Sequence, residues 1–230
     1  MEFGGIQKLS CLDYPGLVAC TVFTKGCNFR CPFCHNAPLV AGCAPESIPE
    51  EEILAYLKKR QGILEGIAVT GGEPLLHPGI EPFLEKVKAL GYKIKLDTNG
   101  SKPTFLRHLV ERGLVDKVAM DIKNSPEAYA ATVGLQEFDI APVEESKAYL
   151  LTGPVDYEFR TTVVKGLHTQ ATLLDAARWI AGAKVWYLQC YQERDTVLSH
   201  HGLSSYTAEE LYSLLQAVQP YIPTAALRGI

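Results

Sequence analysis

Six times along this chain, a short β-prone run is followed by a stretch of helical spacing, and that alternation limits the folds open to it. The β-prone runs are Leu17–Thr24, Gly66–Thr70, Lys93–Leu96, Val115–Ile122, Asp156–Val164 and Lys184–Gln189. Helical patterns cover Pro49–Arg60, Pro78–Leu90, Pro103–Arg112, Ser125–Leu150 with a break around Gly134–Pro142, Thr169–Ile180 and Thr207–Val218. Repeated βα units imply a parallel sheet with right-handed crossovers, either a doubly wound open sheet or a barrel. A closed eight-unit barrel takes about 250 residues. Six units in 230 residues therefore predict an α/β fold built as a partial (β/α)6 barrel, one domain over residues 1–230.

Composition excludes several classes of function. The net charge of −4 and the absence of a Lys/Arg run argue against nucleic-acid and membrane partners. No apolar stretch is long enough to span a bilayer, and no secretory leader is visible, so the expected compartment is the cytoplasm. Seven cysteines, an odd number, do not read as a disulfide framework. Cys20 and Cys190 lie in strand-like runs and read as small buried residues, while Cys11 and Cys43 carry no assigned role.

The chemically capable residues fall just after the strands, where α/β folds put their sites. Cys27, Cys31 and Cys34 crowd into one loop after the first strand, and Thr70-Gly71-Gly72-Glu73-Pro74 follows the second. Asp97-Thr98-Asn99-Gly100 follows the third, Asp121-Ile122-Lys123 ends the fourth, and Lys165-Gly166 follows the fifth. Three thiolates this close can wrap one metal centre. A structural zinc site wants four ligands, which Cys43 could complete, and that reading stays open as the lesser one. A [4Fe-4S] cluster usually takes four cysteines, so with three, one iron is left open to bind a small molecule. Gly71-Gly72 lets backbone approach a ligand closely, and Glu73 could bond an ammonium group.

The Cys-x3-Cys-x2-Cys spacing after a first strand, with Gly-Gly-Glu-Pro after the next, resembles the radical S-adenosylmethionine (SAM) superfamily. The resemblance implies that the open iron chelates the methionine end of SAM, and that the Gly71–Pro74 segment meets its amino group. Narrower features are Leu12-Asp13-Tyr14-Pro15-Gly16, His35-Asn36, Asp97-Thr98-Asn99-Gly100 and Asp121-Ile122-Lys123. This set resembles the activating enzymes of glycyl radical enzymes. The opening Phe3-Gly4-Gly5-Ile6-Gln7-Lys8 is most similar to the anaerobic ribonucleoside-triphosphate reductase activating proteins. By that resemblance, Lys123 would meet the cofactor carboxylate, and Arg160 would lie near the cofactor. Phe33 and Asn36 would flank the adenosine, with Thr98 and Asn99 also at the cofactor. Asp97, Thr98 and Asp121 would hold a monovalent cation. Gln189 stands where related activators carry an adenine-contacting histidine. The bland alternatives are solvated strand-end carboxylates for Asp97 and Asp121 and a surface ion pair for Arg160. His200-His201 reads as a solvated pair in a polar loop.

The function so implied is that of an activase. It takes an electron from reduced flavodoxin or ferredoxin, cleaves SAM, and abstracts hydrogen from a glycine of a larger enzyme. The alternatives are a radical SAM enzyme acting on a small molecule, or a zinc- or cluster-bearing binding or electron-transfer protein. Six units also predict a gap between the first and last strands that a macromolecular partner would fill, because only a polar loop, one helix and a short tail follow the last strand.

Overall fold

The six β-prone runs become six parallel strands in one sheet. The structure is a computed structural model that describes residues 1–41, 47–194, 196–199 and 201–230. The chain opens with β1 (Glu2–Phe3), β2 (Gly5–Ser10), β3 (Ala19–Thr24), α1 (Ala37–Val40), β4 (Ile48–Pro49) and α2 (Glu50–Lys59). It continues through β5 (Gly66–Gly71), a 3-10 turn at Pro74–Leu76, α3 (Ile80–Ala89), β6 (Lys93–Thr98), α4 (Pro103–Glu111) and β7 (Lys117–Asp121). Then come α5 (Tyr129–Val133), α6 (Ala141–Leu151), β8 (Asp156–Val163), α7 (Gln170–Trp179), β9 (Trp186–Cys190), α8 (Ala208–Val218) and β10 (Ala226–Arg228).

The main sheet has eight strands in the order β10-β9-β8-β7-β6-β5-β3-β2. Every neighbouring pair is parallel except β2 with β3, which is antiparallel. Among the described residues β2 and β10 do not pair with each other, so the barrel stays open as expected for six βα units. The outer edges differ from the expectation. The segment before Leu17 is not a plain lead-in but contributes β2, and the tail is not free but adds β10 beside β9 with Leu227 opposite Leu188. Two-residue strands β1 and β4 pair off separately.

Strand alternation gives this sheet two unlike faces. One face carries Ile67, Val69, Ile94, Leu96, Val118, Met120, Phe159 and Leu188, all fully buried in one apolar cluster with helix residues such as Phe83, Leu106 and Leu173. Burying each such side chain contributes roughly 1.5–3 kcal/mol. The opposite face, toward the barrel axis, carries Lys95 and Asp97 from β6, Asp121 from β7, and Glu158 and Arg160 from β8. Closed barrels usually fill that space with branched apolar side chains. Charges there must be paired to be tolerated, and the pairing builds the site.

Candidate functional site

The loop after β3 is folded by its own backbone bonds. Gly26 N–H donates to Leu39 O at 2.9 Å, Arg30 N–H to Val133 O at 2.8 Å, and Cys34 N–H to Cys31 O at 3.1 Å. This winding turns Cys27, Cys31 and Cys34 onto the wall of one cavity of about 360 Å³ at the C-terminal ends of the strands. All three thiols are free. Burial pushes the Cys31 thiol up to about 12 and raises Cys27 and Cys34, while the nearby Lys123 ammonium works in the opposite direction on each. Phe29 N–H points at the Cys27 sulfur at 3.3 Å, and Asn99 Nδ2 at 3.8 Å.

The loop after β5 is stitched to the thiol loop. Gly72 N–H donates to Thr24 O at 2.9 Å and Glu73 N–H to Gly26 O at 2.8 Å. Asn36 Nδ2 donates to Gly71 O at 2.8 Å. Gly71 has φ +111°, a conformation that favours glycine, and leaves no room for a side chain beside the Thr24 backbone. Glu73 is fully enclosed and accepts from Leu75 N–H at 3.0 Å, Thr98 Oγ1 at 2.8 Å and Asn99 N–H at 2.6 Å. Burial raises its carboxyl to about 7 despite those donors. A cation arriving beside it would relieve that penalty.

The strand ends of β6, β7 and β8 carry a ladder of alternating charge. Lys95 bonds Asp97 Oδ1, and Arg160 Nη1 donates to Asp97 Oδ2 at 2.8 Å. Arg160 also reaches Asp121 Oδ1 through Nε at 3.0 Å and Nη2 at 2.9 Å, and Lys123 Nζ donates to Asp121 Oδ2 at 2.9 Å. Burial alone would raise the Asp121 carboxyl, but Arg160 and Lys123 outweigh it and hold it at about 2. Asp97 is lowered by the same kind of contest. Burial disfavours the Lys123 cation, yet Asp121 keeps it firmly protonated. Arg160 is thus no surface pair, nor are Asp97 and Asp121 solvated ends: each is tied into the ladder.

Lys123 is held from behind as well. His168, 1% exposed, accepts from Val164 N–H at Nδ1 (3.1 Å) and donates from Nε2 to Lys123 O at 2.7 Å. Burial lowers its pKa, which keeps the imidazole neutral for that role. Its ring meets Phe33 edge-on at 6.4 Å, and Lys123 Nζ lies 6.0 Å from the centre of the Phe33 ring.

The cavity wall gathers nearly every residue picked out by motif. It includes Phe33, Asn36, Gly71, Gly72, Glu73, Asp97, Thr98, Asn99, Asp121, Lys123, Arg160 and Gln189 beside the three cysteines. Pro74 is absent from it; that residue is buried and starts the 3-10 turn. Thr98 turns its hydroxyl to Glu73 instead of the Asp97–Asp121 pair. The wall also includes residues that no motif singled out for a role there: Asp13, which accepts from Thr21 Oγ1 at 2.7 Å, and Thr162. Lys95 and His168 act from behind the wall. Cys43 and His200, named from the sequence, lie outside the described residues; His201 is exposed.

The donor set suits an iron–sulfur cluster. Among the described residues no three His, Cys, Asp or Glu converge closely enough for a single metal ion. A four-iron cage takes one thiolate per iron, so its ligands stand around a volume and need not meet at a point. Three thiols on one cavity wall, with N–H groups aimed at a sulfur, fit that demand. Cys27, Cys31 and Cys34 would hold it.

Comparison with known proteins agrees. Residues 21–141, a little over half of the chain, match the family model described as the radical SAM superfamily. A relative in Methanocaldococcus jannaschii, named as a candidate glycyl-radical enzyme activating enzyme, is 27% identical over 98% of this chain and 95% of its own. A probable GTP 3',8-cyclase of Thermococcus kodakarensis is 31% identical, over 63% of this chain but only 47% of its own. SuiB of Streptococcus suis, solved with the precursor peptide SuiA, aligns over 91% of this chain and 48% of its own with a TM-score of 0.73 at 14% identity, which shows a shared fold. Among the described residues no helix is long and apolar enough to cross a membrane. The thiol spacing, the open barrel and the family match agree: this chain belongs to the radical SAM superfamily, a family of enzymes that implies a [4Fe-4S] cluster and SAM as cofactors.

Proposed function

We propose that this protein is a glycyl radical enzyme activase working in the cytoplasm. Reduction of SAM at the cluster, by an electron from reduced flavodoxin or ferredoxin, would yield methionine and a 5'-deoxyadenosyl radical that takes hydrogen from a partner's glycine. The chain's own residues then have defined tasks. Cys27, Cys31 and Cys34 hold the cluster and leave one iron open. Lys123 turns its ammonium to the SAM carboxylate, and Glu73 with the Gly71–Gly72 backbone receives the SAM amino group. Phe33, Asn36 and Gln189 flank the adenosine, with Thr98, Asn99 and Arg160 fixing the surrounding loops.

What carries this reading is one cavity shared by three free thiols and a ladder that ends in a firmly protonated lysine. Support for a protein substrate comes from the relative matched along nearly its whole length. The cyclase, in contrast, matches through only 47% of its own chain. The opening segment Phe3–Lys8 points to an anaerobic ribonucleoside-triphosphate reductase as the partner. The test is anaerobic incubation of the reduced, cluster-loaded protein with SAM and candidate partners. A glycyl radical seen by electron paramagnetic resonance on the partner, with 5'-deoxyadenosine released, is expected. Turnover of a small metabolite with no partner radical would replace the activase reading with the small-molecule one.

A further inference from the structure

Lys95 sits two residues before Asp97 on β6, so both side chains stand on the face toward the barrel axis. It is 2% exposed, a rare position for a lysine unless it is paired. Its ammonium bonds Asp97 Oδ1. The other oxygen of Asp97 and both oxygens of Asp121 are taken by Arg160 and Lys123. Every carboxylate oxygen of the pair therefore already faces a side-chain cation. Glu158 on the same face is paired with Arg228 at 2.9 Å. With that pair counted, four cations, Lys95, Arg160, Lys123 and Arg228, against three anions, Asp97, Asp121 and Glu158, leave one net positive charge. A metal ion added here would raise that to two in a poorly solvated space, where like charges repel strongly. An incoming carboxylate would bring it to zero.

We propose that Lys95 is a built-in cation that takes the place of a bound monovalent metal ion at Asp97 and Asp121. The position expected from sequence to hold that ion is thereby filled by the chain itself. Thr98, the third ligand of the expected site, donates its hydroxyl hydrogen to Glu73 and accepts from Gly100 N–H at 3.1 Å, so its oxygen already has a backbone partner. With Lys95 and Arg160 neutralising Asp97, Lys123 is the ladder cation at the cavity that can turn to an anion. The inference concerns the cation chemistry of the ladder and stands whether or not the chain acts on a protein.

The test compares potassium, sodium and choline chlorides at equal ionic strength on the full-length, cluster-loaded protein. Melting temperature and SAM dissociation constant are read in each salt. The wild-type protein should give the same values in all three. In choline, Lys95→Met should melt roughly 5 °C lower, since it strips Asp97 of a buried partner. Potassium or sodium should restore much of that loss in a saturable way. Lys95→Arg, which keeps a cation, should stay indifferent to the salt. A wild-type protein that gains stability or SAM affinity from potassium or sodium over choline would overturn the proposal. So would a folded Lys95→Met variant that does not respond to either metal. Should Lys95→Met fail to fold, the wild-type comparison and the shorter Lys95→Gln variant decide. Melting temperature needs no catalysis, so failure of the activase reading would leave this result intact.

Discussion

Gly72 approaches Gly26 so closely that a β-carbon on Gly72 would run into the Gly26 carbonyl oxygen. That oxygen accepts from Glu73 N–H, so the contact is part of the seam between the thiol loop and the loop after β5. The missing side chain therefore also serves this seam, beside the close ligand approach expected of the glycine pair. Gly72→Ala is expected to shift the seam at a cost of about 1–3 kcal/mol. Iron content and visible absorbance after reconstitution should fall along with thermal stability. Full iron loading at wild-type stability would show that the seam can give.

Three ligands and no fourth should suffice for the cluster. Single Ala substitutions at Cys27, Cys31 and Cys34 are expected to abolish cluster loading and SAM cleavage, whereas Cys43→Ala should keep both. Iron and sulfide analysis of each purified variant reads this out. Loss of the cluster in Cys43→Ala would revive the four-ligand alternative.

Lys123 should carry much of the affinity for SAM. A charge-assisted bond is worth roughly 1.5–3 kcal/mol. Lys123→Ala is therefore expected to weaken binding about ten- to a hundredfold, each factor of ten corresponding to about 1.4 kcal/mol. Equilibrium titration of the cluster-loaded protein measures it. An unchanged constant would mean that the ammonium serves Asp121 alone.

Asp121 gives the fold a signature in acid. Its carboxyl is held at about 2, below its ordinary value of 3.8, so the stabilisation is present above the unfolded value and disappears as pH falls through the folded one. The linkage amounts to about 2 kcal/mol at neutral pH. Asp121→Asn should therefore be less stable than the wild type near neutrality, and the two should converge between about pH 4 and pH 2. Denaturant melts at a series of pH values would show a parallel offset instead if the ladder were irrelevant.

His168 should matter through Lys123. Replacing it with Ala removes the donor to Lys123 O and the acceptor of Val164 N–H in a buried setting, at about 1–3 kcal/mol for the groups left unpaired. We expect lower stability and weaker SAM binding together, with cluster loading retained. A loss of stability with no change in affinity would confine His168 to the scaffold.

Much of this architecture was legible because its signals are local. Cys27, Cys31 and Cys34 announce themselves by spacing, and the parallel strands by branched apolar runs between helical stretches. The edge strands were not. β2 reads Gly-Ile-Gln-Lys-Leu-Ser, with three exposed residues in a row and only Ser10 buried, so it lacks the buried alternation that marks a strand. β10 is three residues long and exists only because β9 offers an edge. Lys95 was missed for a different reason. A charged residue every second position normally reads as a solvent face, and only curling the sheet turns that face inward. A lysine in the middle of a strand expected to be covered on both sides was the available clue. His168 came to the site through its bond to Lys123 O, 45 residues away, which spacing does not report.

The thiol loop and the segment after β9 touch directly. His35 donates from Nε2 to Gln192 O at 3.0 Å, its ring stacks on Tyr191 at 5.7 Å, and Ser199 N–H donates to Pro32 O at 2.9 Å. Among the described residues, the ring of strands is therefore fastened across its break by a clasp and not by a continuous backbone ladder. Two hydrogen bonds of this sort are worth about 1 kcal/mol each. Undoing the clasp would leave every strand pairing intact, so a bulky visitor could be admitted at the cost of a few side contacts, with the sheet itself undisturbed.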